Sequence, residues 1–173
     1  EAWHAGKSKW KKYSSLNKYS IGIEIQNSGH EYFYENFLPK QINSLKRLLR
    51  YLIETYKISP KNILGHSDIA HIRKKDPGEK FPWKELSKIK LVKWHNQKEQ
   101  RLKKIRLMRL TLNEESQFLK NLFKIGYEKI KKPNLKIQKK FLYKAFQRRY
   151  RQSLINGLSD KECLLISKNL LKL

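Results

Sequence analysis

Asn62-Ile63-Leu64-Gly65-His66-Ser67-Asp68-Ile69-Ala70, followed by Arg73-Lys74-Lys75-Asp76-Pro77-Gly78, is the stretch on which both fold and chemistry turn. The run Asn62-Ile63-Leu64 ends at Gly65, so His66 is expected to leave the end of a buried strand. The polar loop after it can return Asp76 to the same point. An imidazole and a carboxylate then converge, two donors of the kind that hold a catalytic zinc. Lys74, two residues before that carboxylate, would stand beside such a metal, where a cation is unwelcome unless a substrate oxygen needs its charge. The plainer reading is a packed or surface histidine followed by an ordinary Asp-Pro-Gly turn. Two donors do not decide between these, because a catalytic zinc takes three protein ligands.

Upstream, Ser20-Ile21-Gly22-Ile23-Glu24-Ile25 alternates, with Ile21, Ile23 and Ile25 on one face and Gly22 and Glu24 on the other, which predicts a strand. That pattern isolates one acid, Glu24, on a face where Gly22 leaves room for a ligand. A solvent-facing strand residue is the alternative. The chemistry these groups suit is amide hydrolysis. Amides resist water, and zinc lowers the pKa of its bound water to about 7 while polarising the carbonyl. Glu24 could then accept the proton and Lys74 could stabilise the oxyanion, or Lys74 could be one solvated member of Arg73-Lys74-Lys75.

The words around this stretch occur in the same order in one family. Ala2-Trp3-His4-Ala5-Gly6, Ser8, Trp10, Leu16-Asn17, Ser20 to Asn27, Gly29-His30, Gln41, the His66 and Asp76 loop, and Phe81-Pro82-Trp83 together resemble the type 2 N-acetylmuramoyl-L-alanine amidases over residues 1 to about 90. The resemblance implies a hydrolase that uses Zn2+ to cleave the amide between the lactyl group of N-acetylmuramic acid and the L-alanine of the peptide stem. By motif position it implies His66 and Asp76 as two of three zinc ligands, Glu24 as the catalytic carboxylate, and Lys74 as the cationic partner of the reacting carbonyl. It implies Trp3, His4, Asn27 and His30 as substrate-binding residues. The family's first ligand is a histidine upstream of the Trp-His-Ala-Gly motif, so here it is expected before Glu1. The chain lacks an initial Met and the regions of a signal peptide, and is expected to be an N-terminally truncated piece with little activity of its own. His4 is the nearest substitute ligand, although its position in the family lines the cleft. His71-Ile72 stands where the family has Pro-Gly, which leaves the shape of that loop open.

The 173 residues carry 40 Lys and Arg against 15 Asp and Glu, a net charge of +25. A basic surface is the usual footprint of nucleic-acid binding. Here the lysines are spread over nearly every segment without a nucleic-acid motif, so no specific nucleic-acid partner is expected. Anionic wall polymers and membrane head groups suit such a charge equally well. The 39% hydrophobic content supports real cores and excludes a disordered chain. One cysteine, Cys163, excludes an internal disulfide and reads as a small buried hydrophobe. No apolar run approaches the ~20 residues that cross a bilayer.

Ile42, Leu45, Leu48, Leu49, Leu52, Ile53 and Tyr56 recur at helical spacing between Pro39 and Ser59-Pro60, which predicts a core-facing helix packed on the sheet. A short helix is expected from Phe81-Pro82-Trp83 to about Ile89, and a basic, partly helical linker over 91–110. Beyond it, Phe118, Leu119, Leu122 and Phe123 mark a helix stopped at Gly126, and Leu142, Ala145, Phe146 and Tyr150 a second. Leu164, Leu165, Leu170 and Leu171 mark a third, opened by a capping box of Ser159 with Glu162. The expected fold is α+β: a mixed β-sheet flanked by helices over 1–90, resembling the peptidoglycan recognition proteins, and a three-helix bundle over 111–173. The string from Leu142 to Tyr150, with Asn156-Gly157 and Asp160-Lys161-Glu162, resembles the peptidoglycan-binding domain that follows amidase domains of this type. In that reading Phe146 is core, while Gln147 and the basic residues near it face a glycan. The pairing implies turnover of peptidoglycan or muropeptides at a bacterial cell envelope, in the periplasm, with a cytoplasmic enzyme as the alternative. A non-catalytic peptidoglycan-binding module and a basic nucleic-acid-binding protein remain as other classes.

Overall fold

The computed structural model describes residues 1–173. Its longest element, α1 (Pro39–Tyr56), opens with Pro39, whose missing N–H is no loss in a first turn, and Gln41 accepts the Leu38 N–H at 2.8 Å. It closes at Lys57 in the left-handed region (φ 54°). Ile42, Leu45, Leu49 and Leu52 form its buried stripe, and the first three pack with Phe81, Trp83, Leu86, Leu91 and Val92 as one core. Leu48 at the edge of that stripe and Tyr56 at the last residue of the helix are exposed, a correction to the expected core face.

The expected mixed sheet does not form among these residues. The sheet is a two-residue hairpin, β1 (Lys9–Trp10) antiparallel to β2 (Tyr13–Ser14), with Lys9 opposite Ser14 and Trp10 opposite Tyr13. Residues 20–27 have no regular secondary structure and no backbone hydrogen bond to another segment. A strand exists only by sharing a ladder, and a lone segment has no neighbour to share one with. The alternation still sorts side chains: Ile23 and Ile25 pack against the α1 core while Gly22 and Glu24 face out, and Ile21 is left 50% exposed. Pro60–Asn62 is likewise a single 3₁₀ turn, and His66 opens a one-turn helix, α2 (His66–Ile69), instead of leaving a strand. Asp68 forces this turn by accepting the Gly65 N–H at 2.8 Å.

The remaining helices are α3 (Trp83–Lys88), α4 (Glu99–Ile105), α5 (Leu112–Ile125), α6 (Leu135–Tyr150) and α7 (Lys161–Leu170). Thr111 caps α5, accepting the Glu114 N–H at 3.3 Å while Glu114 accepts the Thr111 N–H at 2.9 Å. The helix stops at Gly126 (φ 144°), where a Cβ would overlap the Trp10 ring. The cap of α7 is Asp160, one residue after the expected Ser159; it accepts the Cys163 N–H at 2.9 Å. Glu162 is drawn away from any capping role by Arg106, which holds it at 2.7 and 2.9 Å.

Phe118, Leu122, Leu142, Phe146, Cys163 and Ile166 build the larger core, and Ala5, Trp10, Leu16 and Leu102 belong to it too. The N-terminal segment and the three long helices beyond residue 111 therefore share one interior. Gln147 is fully buried: its amide donates to the Leu158 carbonyl and accepts the Gly157 N–H, both at 2.8 Å. It closes the turn before α7 from inside instead of facing a glycan, because a buried amide needs such partners. No helix is long and apolar enough to cross a membrane.

Candidate active site

The chain passes tightly around α2. A Cβ on Gly65 would meet Pro77 at 2.7 Å, and the Ser67 N–H donates to the Asp76 carbonyl at 2.9 Å, so the loop after α2 is pinned back on its start. This brings His66 Nδ1 to 3.0 Å from Asp76 Oδ2. The other ring nitrogen, Nε2, lies 3.2 Å from the Ala5 carbonyl oxygen and 3.2 Å from Arg73 Nη2. Arg73 also donates to the Ala5 carbonyl and, through Nε, to the Lys7 carbonyl at 3.0 Å. Burial pushes the Asp76 carboxyl up, but the hydrogen bond and charge of His66, with Lys74 beyond, outweigh it and leave the group below the usual carboxylate range.

The ring has two neutral proton arrangements, and only the first satisfies these contacts without a further cation. With Arg73 donating to Nε2, the ring proton sits on Nδ1 and is given to Asp76. With Nε2–H donated to Ala5, Nδ1 turns a lone pair toward a carboxylate, and two acceptors face each other until a cation stands between them. His66 and Asp76 thus fit two positions of a zinc site in donor type and in convergence. No group of three His, Cys, Asp or Glu side chains is formed by these residues.

Lys74 is half-buried on the same loop, its N–H bonded to the Ala70 carbonyl at 3.0 Å. Glu24 is exposed on the segment that runs beside His4: a Cβ on the adjacent Gly22 would meet the His4 side chain at 2.6 Å. His4 itself is committed to Ser20, with Nε2 2.8 Å from Oγ, and does not join the His66 and Asp76 pair. Trp3 is 87% exposed. Asn27 organises its own loop, accepting the Gly29 N–H at 3.0 Å and donating to the Glu35 carbonyl at 3.2 Å. His30 stacks on Tyr34 and lies 3.0 Å from Glu79, three residues past Asp76.

Sequence reasoning missed the supports beneath this site. Asn17 accepts the N–H groups of His4, Ala5 and Gly6 at 3.2, 2.7 and 3.2 Å, which bends the chain so that the Ala5 carbonyl meets His66. Asp68 is 1% exposed and is held by Arg149 at 2.7 Å and by the Tyr127 hydroxyl at 2.8 Å. Arg149 also donates to the Ile63 carbonyl at 2.9 Å and lies over the Trp83 ring. Burial, with Asp68 beside it, holds the Tyr127 phenol well above its ordinary range, so it remains a donor. Asp68 is recognisable locally as a cap for Gly65; nothing near Arg149 in sequence signals its partner.

The sequence profile of the N-acetylmuramoyl-L-alanine amidase family matches residues 1–79. Over 176 aligned residues, 99% of this chain and 63% of the relative, the chain is 34% identical to the N-acetylmuramoyl-L-alanine amidase AmiD of Escherichia coli. It is 39% identical over 82 residues to the 1,6-anhydro-N-acetylmuramyl-L-alanine amidase AmpD of the same species, 47% of this chain and 43% of the relative. Among solved structures, E. coli AmiD in complex with anhydro-N-acetylmuramic acid-L-Ala-D-γ-Glu-L-Lys aligns with a TM-score of 0.86 at 35% identity, over 99% of this chain and 68% of that one. AmpDh3 of Pseudomonas aeruginosa aligns with a TM-score of 0.85 at 32% identity, over 99% and 68%. The chain belongs to the type 2 N-acetylmuramoyl-L-alanine amidase family. It spans less than two thirds of the length of the curated relatives it matches, 63% of AmiD and 43% of AmpD.

Proposed function

We propose that this protein is a zinc-dependent amidase that cleaves between N-acetylmuramic acid and L-alanine in peptidoglycan or muropeptides, for cell-wall turnover at a bacterial envelope. The observation that carries this reading is the pairing of His66 Nδ1 with Asp76 Oδ2 at 3.0 Å, with the Asp76 side chain 56% exposed, in a chain of this family. When bound, zinc supplies a water of lowered pKa and polarises the amide carbonyl. His66 and Asp76 would hold it, together with a third donor that these residues do not bring to the pair. In that state Nε2–H donates to the Ala5 carbonyl, which fixes the His66 ring so that Nδ1 stays turned toward Asp76. Glu24 accepts the proton of the attacking water on its carboxylate and delivers it to the departing L-alanine nitrogen. The Lys74 ammonium faces the carbonyl oxygen, where negative charge develops. Trp3, His4, Asn27 and His30 line the cleft, and residues 111–173 hold the polymer. The muropeptide bound by E. coli AmiD supports a substrate with a peptide stem.

One observation favours a second reading, a non-catalytic peptidoglycan-binding module: these residues supply no third metal donor. The protein as its gene encodes it separates the two. One zinc per chain after dialysis, with release of the stem peptide from an anhydromuramyl tripeptide, supports the amidase; muropeptide binding with neither supports the module. The 173-residue chain alone is expected to retain zinc weakly and cleave little, because a two-donor site loses much of its chelation. Stoichiometric zinc and rapid cleavage by that chain would refute the assignment of the third ligand.

A further inference from the structure

The Asp76 carboxylate is hydrogen-bonded by one side chain, His66, and 56% of the Asp76 side chain is exposed. A metal held between the two replaces that contact, so the carboxylate then stands where its backbone puts it. Two carbonyls fix that backbone. The Asp76 carbonyl accepts the Ser67 N–H at 2.9 Å, from the side of α2. On the outer side the Tyr34 hydroxyl donates to the Pro77 carbonyl at 2.8 Å, and its oxygen in turn accepts the Lys80 N–H at 3.0 Å. Tyr34 bridges the turn of residues 77–80 from within: a Cβ on Gly78 (φ 81°) would overlap its hydroxyl. No other hydrogen bond reaches the backbone of Pro77, Gly78 or Lys80. Past the turn, Gln152 holds the Glu79 and Phe81 carbonyls at 2.6 and 2.7 Å.

We propose that Tyr34 is a positioning residue for Asp76, acting through the Pro77 carbonyl to keep the carboxylate aimed at the place it shares with His66. This role rests on the zinc-amidase reading of that pair. A hydroxyl that accepts one hydrogen bond donates the next more strongly, so the Lys80 N–H reinforces the bond to Pro77. Burial, the largest influence, pushes the phenol up to about 12, and it remains a donor at neutral pH. The ring is stacked on His30 with centroids 4.3 Å apart, and His30 lies 3.0 Å from Glu79, so the ring keeps its seat when the hydroxyl is removed. Nothing in the sequence marks this residue, which stands 43 positions before Pro77 between Phe33 and Glu35.

Tyr34→Phe removes the hydroxyl and keeps the ring, while Tyr32→Phe removes the same atom from an 84% exposed side chain of the same loop. Both variants are made in the protein as its gene encodes it. Zinc affinity is measured by competition with a chelator, and amide hydrogen exchange is followed in the metal-free protein. Tyr34→Phe is expected to weaken zinc binding about 10- to 100-fold, the usual loss when a group that orients a metal ligand is removed. Exchange at Ser67 and Lys80 should quicken about fivefold or more, the worth of one net hydrogen bond. At saturating zinc, kcat for an anhydromuramyl tripeptide should fall with KM little changed. Tyr32→Phe should alter none of these. A residue that only supported the fold would lower the urea midpoint and leave zinc affinity intact, so unchanged affinity in Tyr34→Phe overturns the role. Equal losses in Tyr32→Phe overturn it in favour of a general effect of the loop. Weaker zinc binding with Ser67 exchange unchanged also overturns it, because the route is then not the Asp76 backbone. If the wild-type protein takes up no zinc, the amidase reading fails and exchange alone decides: faster exchange confined to Ser67 and Lys80 upholds the hold of Tyr34 on Asp76, and unchanged exchange refutes it.

Discussion

His66 is held from both sides, Nδ1 toward Asp76 and Nε2 toward the Ala5 carbonyl, while Glu24 touches nothing that the fold depends on. That difference separates what each substitution should do. Glu24→Gln is expected to leave the urea midpoint unchanged and to lower kcat of the zinc-loaded enzyme by about 10²- to 10⁴-fold, the usual loss when a general base is removed. Wild-type turnover in that variant would make Glu24 a plain surface residue. Arg149→Met tests the opposite case. It leaves the Asp68 carboxylate buried at 1% exposure without its charged partner, and should cost about 3–5 kcal/mol in urea denaturation, as breaking one side of a buried pair does. Adding Asp68→Asn to that variant should recover part of the loss, since the stranded charge is gone. If Arg149→Met proves nearly neutral, the pair has no part in supporting α2.

The helices differ in how firmly their ends are tied. Lys161, through its hydrogen bond, and the Thr111 N–H hold the Glu114 carboxyl down to about 2, at the first turn of α5. A carboxyl lowered in the folded chain contributes stability that is present above its unfolded pKa of about 4.3. That contribution fades as pH falls from there toward 2. The start of α5 is therefore expected to fray in this window, seen as loss of amide protection at residues 112–116, and Glu114→Gln should abolish the pH dependence there. Retention of protection in wild type down to pH 2 would argue against the Glu114 contact. By contrast, residues 20–27 have no ladder or cap to lose, only the contacts of Ile23 and Ile25 and side-chain hydrogen bonds at Ser20, Gln26 and Asn27.

Across the whole molecule, two cores are joined by buried polar links, and both stability and pH response should show it. Burial holds the His95 imidazole down to about 4, and burial also lowers His71. Protonation then favours the unfolded chain, so stability is complete above the unfolded pKa of about 6.5 and declines as pH falls from there to 4. The His95 share is at most about 3 kcal/mol. Urea midpoints measured from pH 7.5 to 4 should fall, and fall less in His95→Gln; a flat profile in wild type contradicts it. Deleting residues 111–173 would strip Ala5, Trp10 and Leu16 of their shared core and Asp68 of Arg149 and Tyr127. The remaining piece is expected to lose cooperative unfolding, and a sharp transition after deletion would show instead that the first 110 residues fold alone.

Contacts within a few residues are legible from the chain alone. The faces of α1, α5 and α6, the stop at Gly126 and the inward side of Ile23 and Ile25 follow from backbone periods and from glycine's tolerance of positive φ. The approach of Asp76 to His66 is legible for the same reason: they are ten residues apart, and an intervening loop can close only so far. Alternation at residues 20–25 tells which side is apolar but not whether another strand lies beside it, and pairing is what makes a sheet. Only the tertiary structure decides that Gln147 turns inward and that Arg149 finds Asp68 across 81 residues. A buried polar group must be satisfied by whatever the packed chain brings to it, and that partner is chosen by the fold as a whole rather than by its neighbours in sequence.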